Sequence, residues 1–222
     1  MDRLAHASVQ GALDESVAYG VINEMLIEHK QVLGREGSFI IFPQLRLPWK
    51  PEKPGDRRSN VPDIGIGRLG DNGTRLLQGG VEQKAAGESM RRLPDPGLLI
   101  DENDIRELIN RTLLQAGDQV KAAVKNHAIP ADRAVRWIIA VGPYFIIHSF
   151  GPFSEAALTT RSHRPNDSGD AELTEVAQLM KGRASLIKID EPLYRIGTEK
   201  AACAIHEYLL WGHSLYPNES EV

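Results

Sequence analysis

The chain has 222 residues, 41% of them hydrophobic and 25% charged, with a formal net charge of −4 at pH 7 and one cysteine. This composition excludes wholesale disorder, collagen-like repeats and a long coiled coil, and the net charge excludes a polycationic nucleic-acid coat while leaving room for a local basic face. The lone Cys203 excludes an intrachain disulfide and favours a reducing compartment.

No apolar run approaches the roughly 18 residues that a membrane helix needs. The opening stretch, M-D-R-L-A-H-A-S-V-Q, carries no apolar signal region. The expectation is an intracellular protein, cytoplasmic or nuclear, with no membrane partner, folded as one domain over residues 1–222.

In chain order, residues 15–33 read as a helix, with Val17, Ala18, Val21, Ile22, Met25 and Leu26 at spacings of three and four. Residues 38–47 read as a strand in which Pro43 demands an edge position or a bulge. Breakers and charges make 48–60 a loop. V-P-D-I-G-I-G (61–67) and R-L-L-Q-G-G-V-E-Q-K-A (75–85) are strands around the turn signal L-G-D-N-G-T, which predicts a hairpin. A second helix spans about 102–126, with Ile105, Leu108, Ile109, Leu113, Ala116, Val120 and Ala123 on one stripe. Two apolar strands follow at 135–141 and 144–150, around Gly142-Pro143. After a polar loop at 159–170 come a short helix (171–181), a strand (185–189) and a last helix (198–211) with Ala202, Ile205, Leu209 and Leu210 on its packing face. The order predicts an α/β (α+β) class: a mixed sheet flanked by helices, with a mixed C-terminal extension.

Residues 61–85 carry the chemistry. Side chains alternate along a strand, so Glu82 and Lys84 share a face, and hairpin pairing brings Asp63 beside them. Two neighbouring carboxylates repel and call for a cation, and a hard divalent ion with oxygen ligands meets that need. Such an ion activates water and stabilises charge on a phosphoryl oxygen, while an adjacent lysine orients the nucleophile. The combination suits phosphodiester hydrolysis. The competing view is that Asp63 opens a turn and Glu82 and Lys84 form an exposed ion pair. The apolar context of Asp63 argues against it.

Pro62-Asp63, then 18 intervening residues, then Glu82-Gln83-Lys84, with a helix before and after, resembles the PD-(D/E)XK nuclease superfamily. The likeness is closest to the PD-(D/E)XK nuclease-like domains of fungal proteins, which show a similar R-x-x-x-V-P-D-I, a Gly-rich turn and G-G-V-E-x-K. It covers a core of about 12–151 and leaves 152–222 as an extension with no counterpart. The resemblance implies a restriction-endonuclease-like core of helix, three strands, helix and strand. It implies a Mg²⁺- or Mn²⁺-dependent nuclease acting on nucleic acid, with DNA the commoner substrate. Asp63, Glu82 and the backbone carbonyl of Gln83 would then be metal ligands, and Lys84 the catalytic lysine.

Many superfamily members add an acid from the first helix. The candidates are Glu15, Glu24 and Glu28, and Glu15, flanking the apolar stripe, is favoured. Gln119 lies on the flank of the second helix, where some members carry a residue that touches the site. Lys50, Lys53, Arg57 and Arg58 precede the motif, Arg91 and Arg92 follow it, and Lys121, Lys125, Arg133 and Arg136 surround the end of the second helix. The first two groups suit phosphate contacts. Trp49 is a stacking candidate or a core-rim residue. There is no P-loop, no C-x-x-C and no H-E-x-x-H, and His148 reads as a core histidine. The alternative is a non-catalytic nucleic-acid-binding or protein-interaction module on the same fold. Nothing in the sequence sets the oligomeric state.

Overall fold

The computed structural model describes residues 15–32, 39–48, 59–60, 62–70, 73–84, 102–159 and 191–214. Within them the chain is α+β, a mixed six-stranded sheet with helices on both faces. Helix α1 (Glu15–Val32) is followed by strands β1 (Ile40–Pro43), β2 (Leu47–Pro48), β3 (Ser59–Asn60), β4 (Ile64–Leu69) and β5 (Arg75–Lys84). Then come helix α2 (Glu102–Lys125), strands β6 (Val135–Val141) and β7 (Tyr144–Phe150), the short helix α3 (Glu155–Thr159), strand β8 (Tyr194–Arg195) and helix α4 (Glu199–Ser214).

The strand order is β1-β4-β5-β6-β7-β8, and β2 and β3 form a separate two-stranded ladder. β1, β4 and β5 are an antiparallel meander. β6 lies parallel to β5, an arrangement that needs a long crossover, which α2 supplies. β7 and β8 then add antiparallel. The β4–β5 turn closes with Gly70 N–H on the Thr74 carbonyl at 2.7 Å and Gly73 N–H on the Gly70 carbonyl at 2.8 Å, Gly73 taking a φ of 68° that favours glycine.

α1, α2, β6 and β7 fall where the sequence places them. The predicted strand 38–47 does not run through. Pro43 ends an edge strand, where its missing N–H is tolerated, and Gln44 turns at a φ of 46°. The Gln44 N–H then donates to the Asp63 carbonyl at 2.8 Å. Leu47-Pro48 pairs with Ser59-Asn60, so the ends of the predicted 48–60 loop form a ladder. α3 and β8 are additions that the sequence did not suggest. Ser154 Oγ caps α3 by accepting the Ala157 N–H at 3.3 Å, and Thr198 Oγ1 caps α4 by accepting the Ala201 N–H at 3.2 Å. The predicted helix 171–181 and strand 185–189 lie outside the described residues.

One face of the sheet packs on α2, with Ile105, Ile109, Leu113, Ala116 and Val120 against Leu77, Val135, Trp137 and Ile139. The other packs on α1 and α4, with Val21, Ile22, Leu26, Ile205 and Leu209 over Ile64, Ile66, Val81 and Ile138. The C-terminal extension therefore completes the core. Its helix is rotated from the expected stripe: Leu210 is 39% exposed, and Tyr208, 2% exposed, is buried instead.

A bulge in β5 sets up the site. Ile66 pairs with Gly79 but Gly67 pairs with Leu77, leaving Gln78 as an extra residue. Strict alternation sends Leu77 and Glu82 to opposite faces. The extra residue resets the parity, so Leu77, Glu82 and Lys84 all emerge beneath α2 while Val81 packs in the core under α1 and α4. Just before Glu82, the Trp137 ring lies against the strand. A Cβ at Gly80 would come within 2.2 Å of it, so only glycine admits the indole there.

Candidate active site

The β4–β5 hairpin joins the two halves of the motif. Ile64 pairs with Val81, which puts Asp63 just past the end of the ladder. Asp63 Oδ2 accepts the backbone N–H of Gln83 at 2.7 Å. Glu82 is completely buried. Its Oε2 accepts Gln119 Nε2 at 2.6 Å, and its Oε1 accepts both Lys84 Nζ at 2.8 Å and Gln115 Nε2. Lys84 stands at the rim with its side chain 34% exposed. The result is a buried carboxylate roofed by two amides of α2, with a second carboxylate and an ammonium beside it.

The electrostatics follow from burial. Desolvation pushes the Glu82 carboxyl up to about 7, and the negative charge of Asp63 pushes the same way. The Lys84 ammonium and the Gln119 amide pull it back only in part. The site thus holds more negative charge than its own lysine offsets. Its donors are oxygens, which suit a hard cation such as Mg²⁺ or Mn²⁺ over a soft one. Among the described residues, no group of three or more His, Cys, Asp or Glu side chains comes together, so Asp63 and Glu82 are the acids available there.

The structure brings Asp63, Glu82, Gln83 and Lys84 into one cluster and adds Gln119 to it. Gln83 takes part through its backbone. Its side chain is buried, with Nε2 donating to the Gly142 carbonyl at 3.2 Å. Gln115 was not anticipated. Its signal was the four-residue step back from Gln119, one turn along the same helix flank. Of the helix acids, Glu24 and Glu28 are exposed on α1, a helix packed on the sheet face opposite α2. The side chain of Glu15 lies outside the described residues.

The basic groups fare differently. Lys50, Lys53, Arg57, Arg58, Arg91 and Arg92 lie outside the described residues, as does Trp49. The third group is not one basic face. Lys121 is buried and lies 3.7 Å from Asp118, while Arg136 stacks at 4.6 Å over Trp211 of α4. His148 is half-buried, with Nδ1 2.8 Å from Glu191 Oε1.

No family model matches the chain, nor does any curated protein or solved structure. No helix among the described residues is long and apolar enough to cross a membrane.

Proposed function

We propose that the chain is a metal-dependent nuclease of the PD-(D/E)XK type, hydrolysing phosphodiester bonds in nucleic acid, with DNA as its substrate class. The observation that carries this reading is the hydrogen bond from Gln83 N–H to Asp63 Oδ2. It fastens P-D to the strand between Glu82 and Lys84, across a separation of 20 residues in sequence. The element order supports it: a helix, an antiparallel three-strand meander, a crossover helix and a parallel fourth strand. β8 and α4 complete the same sheet and core, which supports one domain with the extension built in.

Asp63 and Glu82 are the residues that would hold Mg²⁺ or Mn²⁺, with the Gln83 carbonyl as a third donor. A residue in a strand turns its N–H and C=O to the same side. The Gln83 N–H points at Asp63, so its carbonyl shares that edge of β5. Glu15, at the start of α1, stays the proposed helix acid, its side chain lying outside the described residues. When bound, the ion supplies positive charge at the phosphate and acidifies a water. Lys84 favours the ionised form of Glu82 through its 2.8 Å contact and presents its ammonium at the exposed rim, where charge grows on the phosphate oxygens. Water oxygen bonds to phosphorus as one ester bond breaks, and the water's proton passes through solvent to the leaving oxygen.

The test incubates the protein with duplex, nicked and single-stranded DNA and with RNA, in EDTA, Mg²⁺ or Mn²⁺, beside Lys84→Ala. Cleavage that needs metal and is lost in the variant is expected. Equal cleavage by both proteins removes Lys84 from the site. Absence of cleavage by the native chain leaves the non-catalytic module as the better account.

A further inference from the structure

The two oxygens of Glu82 are held by different kinds of partner. Oε2 is bound by Gln119, which is 1% exposed and seated in the core flank of α2. Oε1 is bound by Lys84 and Gln115, both half-buried. A carboxylate oxygen has two lone-pair sites, and Oε1 has two donors. Glu82 itself is completely buried, so a ligand meets it from the side on which its partners reach solvent, which is the Lys84–Gln115 side.

The cost of displacing each amide differs in the same direction. A buried amide that loses its acceptor bears the full desolvation penalty, whereas a half-buried one turns to water. Gln119 is therefore fixed and Gln115 exchangeable.

Resting on the metal reading above, we infer that Glu82 offers the cation one oxygen, Oε1, and that Gln115 is a placeholder at that position. Gln119 is a positioning residue that pins Oε2 and so aims Oε1. Gln115 lets go when the cation arrives, and its freed amide is left beside the ion at the rim. Removing a competitor and removing an anchor have opposite effects on the same equilibrium.

The experiment measures Mn²⁺ binding to the full chain by calorimetry and by electron paramagnetic resonance, without substrate. The proteins are the native chain, Gln115→Met, Gln119→Met and Asp63→Asn. Gln119→Met is expected to weaken Mn²⁺ binding about tenfold, the usual scale for losing a group that orients a ligand. Gln115→Met is expected to tighten it roughly threefold, since one hydrogen bond no longer has to be given up. Both variants weakening, or neither changing, overturns the placeholder while leaving the metal site in place. No Mn²⁺ binding by the native chain, or binding untouched by Asp63→Asn, overturns the metal reading itself. Thermal melting without metal checks folding. Should Gln119→Met fail to fold, the sign of Gln115→Met decides alone, because a purely structural glutamine has no means of raising affinity when lost.

Discussion

Beneath α1 and α4 the sheet buries Ile64, Ile66, Val81, Ile138 and Ala140 against Val21, Ile22, Leu26, Ile205 and Leu209. Beneath α2 it buries Leu77, Trp137 and Ile139 in the same way, but also Glu82 and the amide of Gln119. α2 adds Asp118 and Lys121, each nearly inaccessible. Burial stabilises the first face directly. On the second, part of the interior is given to groups that are stable there only while each has a partner. A buried carboxylate raised toward neutrality is a feature of reactive sites more often than of frameworks. On the proposed function, one face of β5 would hold the fold and the other the chemistry, and each variant below tests that division.

The largest effect belongs to the site. Lys84→Ala or Asp63→Asn should lower metal-dependent cleavage by about a hundredfold or more, the scale for losing one charged stabiliser of a transition state. The thermal midpoint of Asp63→Asn should stay near the native value, because its amide oxygen still accepts the Gln83 N–H. Lys84→Ala should lower it modestly, since buried Glu82 loses its cation but keeps both amides and can take up a proton. A large fall in midpoint with proportionate loss of activity would make them framework residues instead.

The mirror experiment is Ile205→Ala. Ile205 is completely buried on the α4 side. Its loss should cost about 3 kcal/mol in denaturant unfolding. Cleavage per folded molecule and Mn²⁺ affinity should not change. A change in either would show that the faces are coupled through the strands.

A third comparison uses pH. In metal-free protein the Glu82 carboxyl sits at about 7 against an ordinary 4.5. Between those values the folded chain keeps a proton that the unfolded chain has released. Stability should therefore be full below the ordinary value, fall as pH rises toward 7, and level off above it. The drop is about 3 kcal/mol. Glu82→Gln should flatten this part of the profile, and Ile205→Ala should lower the whole profile without altering its slope. An unchanged slope in Glu82→Gln would move the titration to another group.

How much of this was legible depends on the kind of regularity involved. The parity of Glu82 and Lys84 was readable because residues two apart on a strand share a face whatever precedes them. Their shared face with Leu77 was not, because the bulge at Gln78 shifts the count and leaves no sequence mark beyond two glycines after it. The strand break at Gln44 was half-visible in Pro43, but not the bond that ties Gln44 to Asp63. Gln119 was noticed from its place on the helix flank. Gln115 was passed over because an amide on a half-polar face looks like any solvated residue until its acceptor is known. Lys121 read only as one of a basic group around the helix end, because its partner Asp118, one turn back, is not a visible pairing until the burial is known. The phase of α4 was misjudged because Tyr208 has a polar atom and Leu210 has none. The phenol is nonetheless buried, with its hydroxyl donating to the Gly80 carbonyl at 3.2 Å.

That bond gives the smallest prediction and the sharpest one. Tyr208 reaches β5 from the α4 side. A Cβ at Gly79 would lie 2.1 Å from its hydroxyl, so glycine there is what admits the ring. The next residue, Gly80, receives the hydroxyl on its carbonyl and faces Trp137 beneath α2. Glu82 is two residues further on. Burial pushes the Tyr208 phenol well above its ordinary range, so it stays a neutral donor throughout the working pH of the protein. Tyr208→Phe keeps the ring and removes only the O–H, which should cost about 1 kcal/mol of stability. If the two faces are independent, Mn²⁺ affinity and cleavage stay at native values. If they are coupled, the coupling runs through this strand, and the loss of one hydroxyl on the apolar side would shift the placement of Glu82 and show as weaker Mn²⁺ binding. A fall in affinity larger than the change in stability would end the division between a framework face and a chemical face.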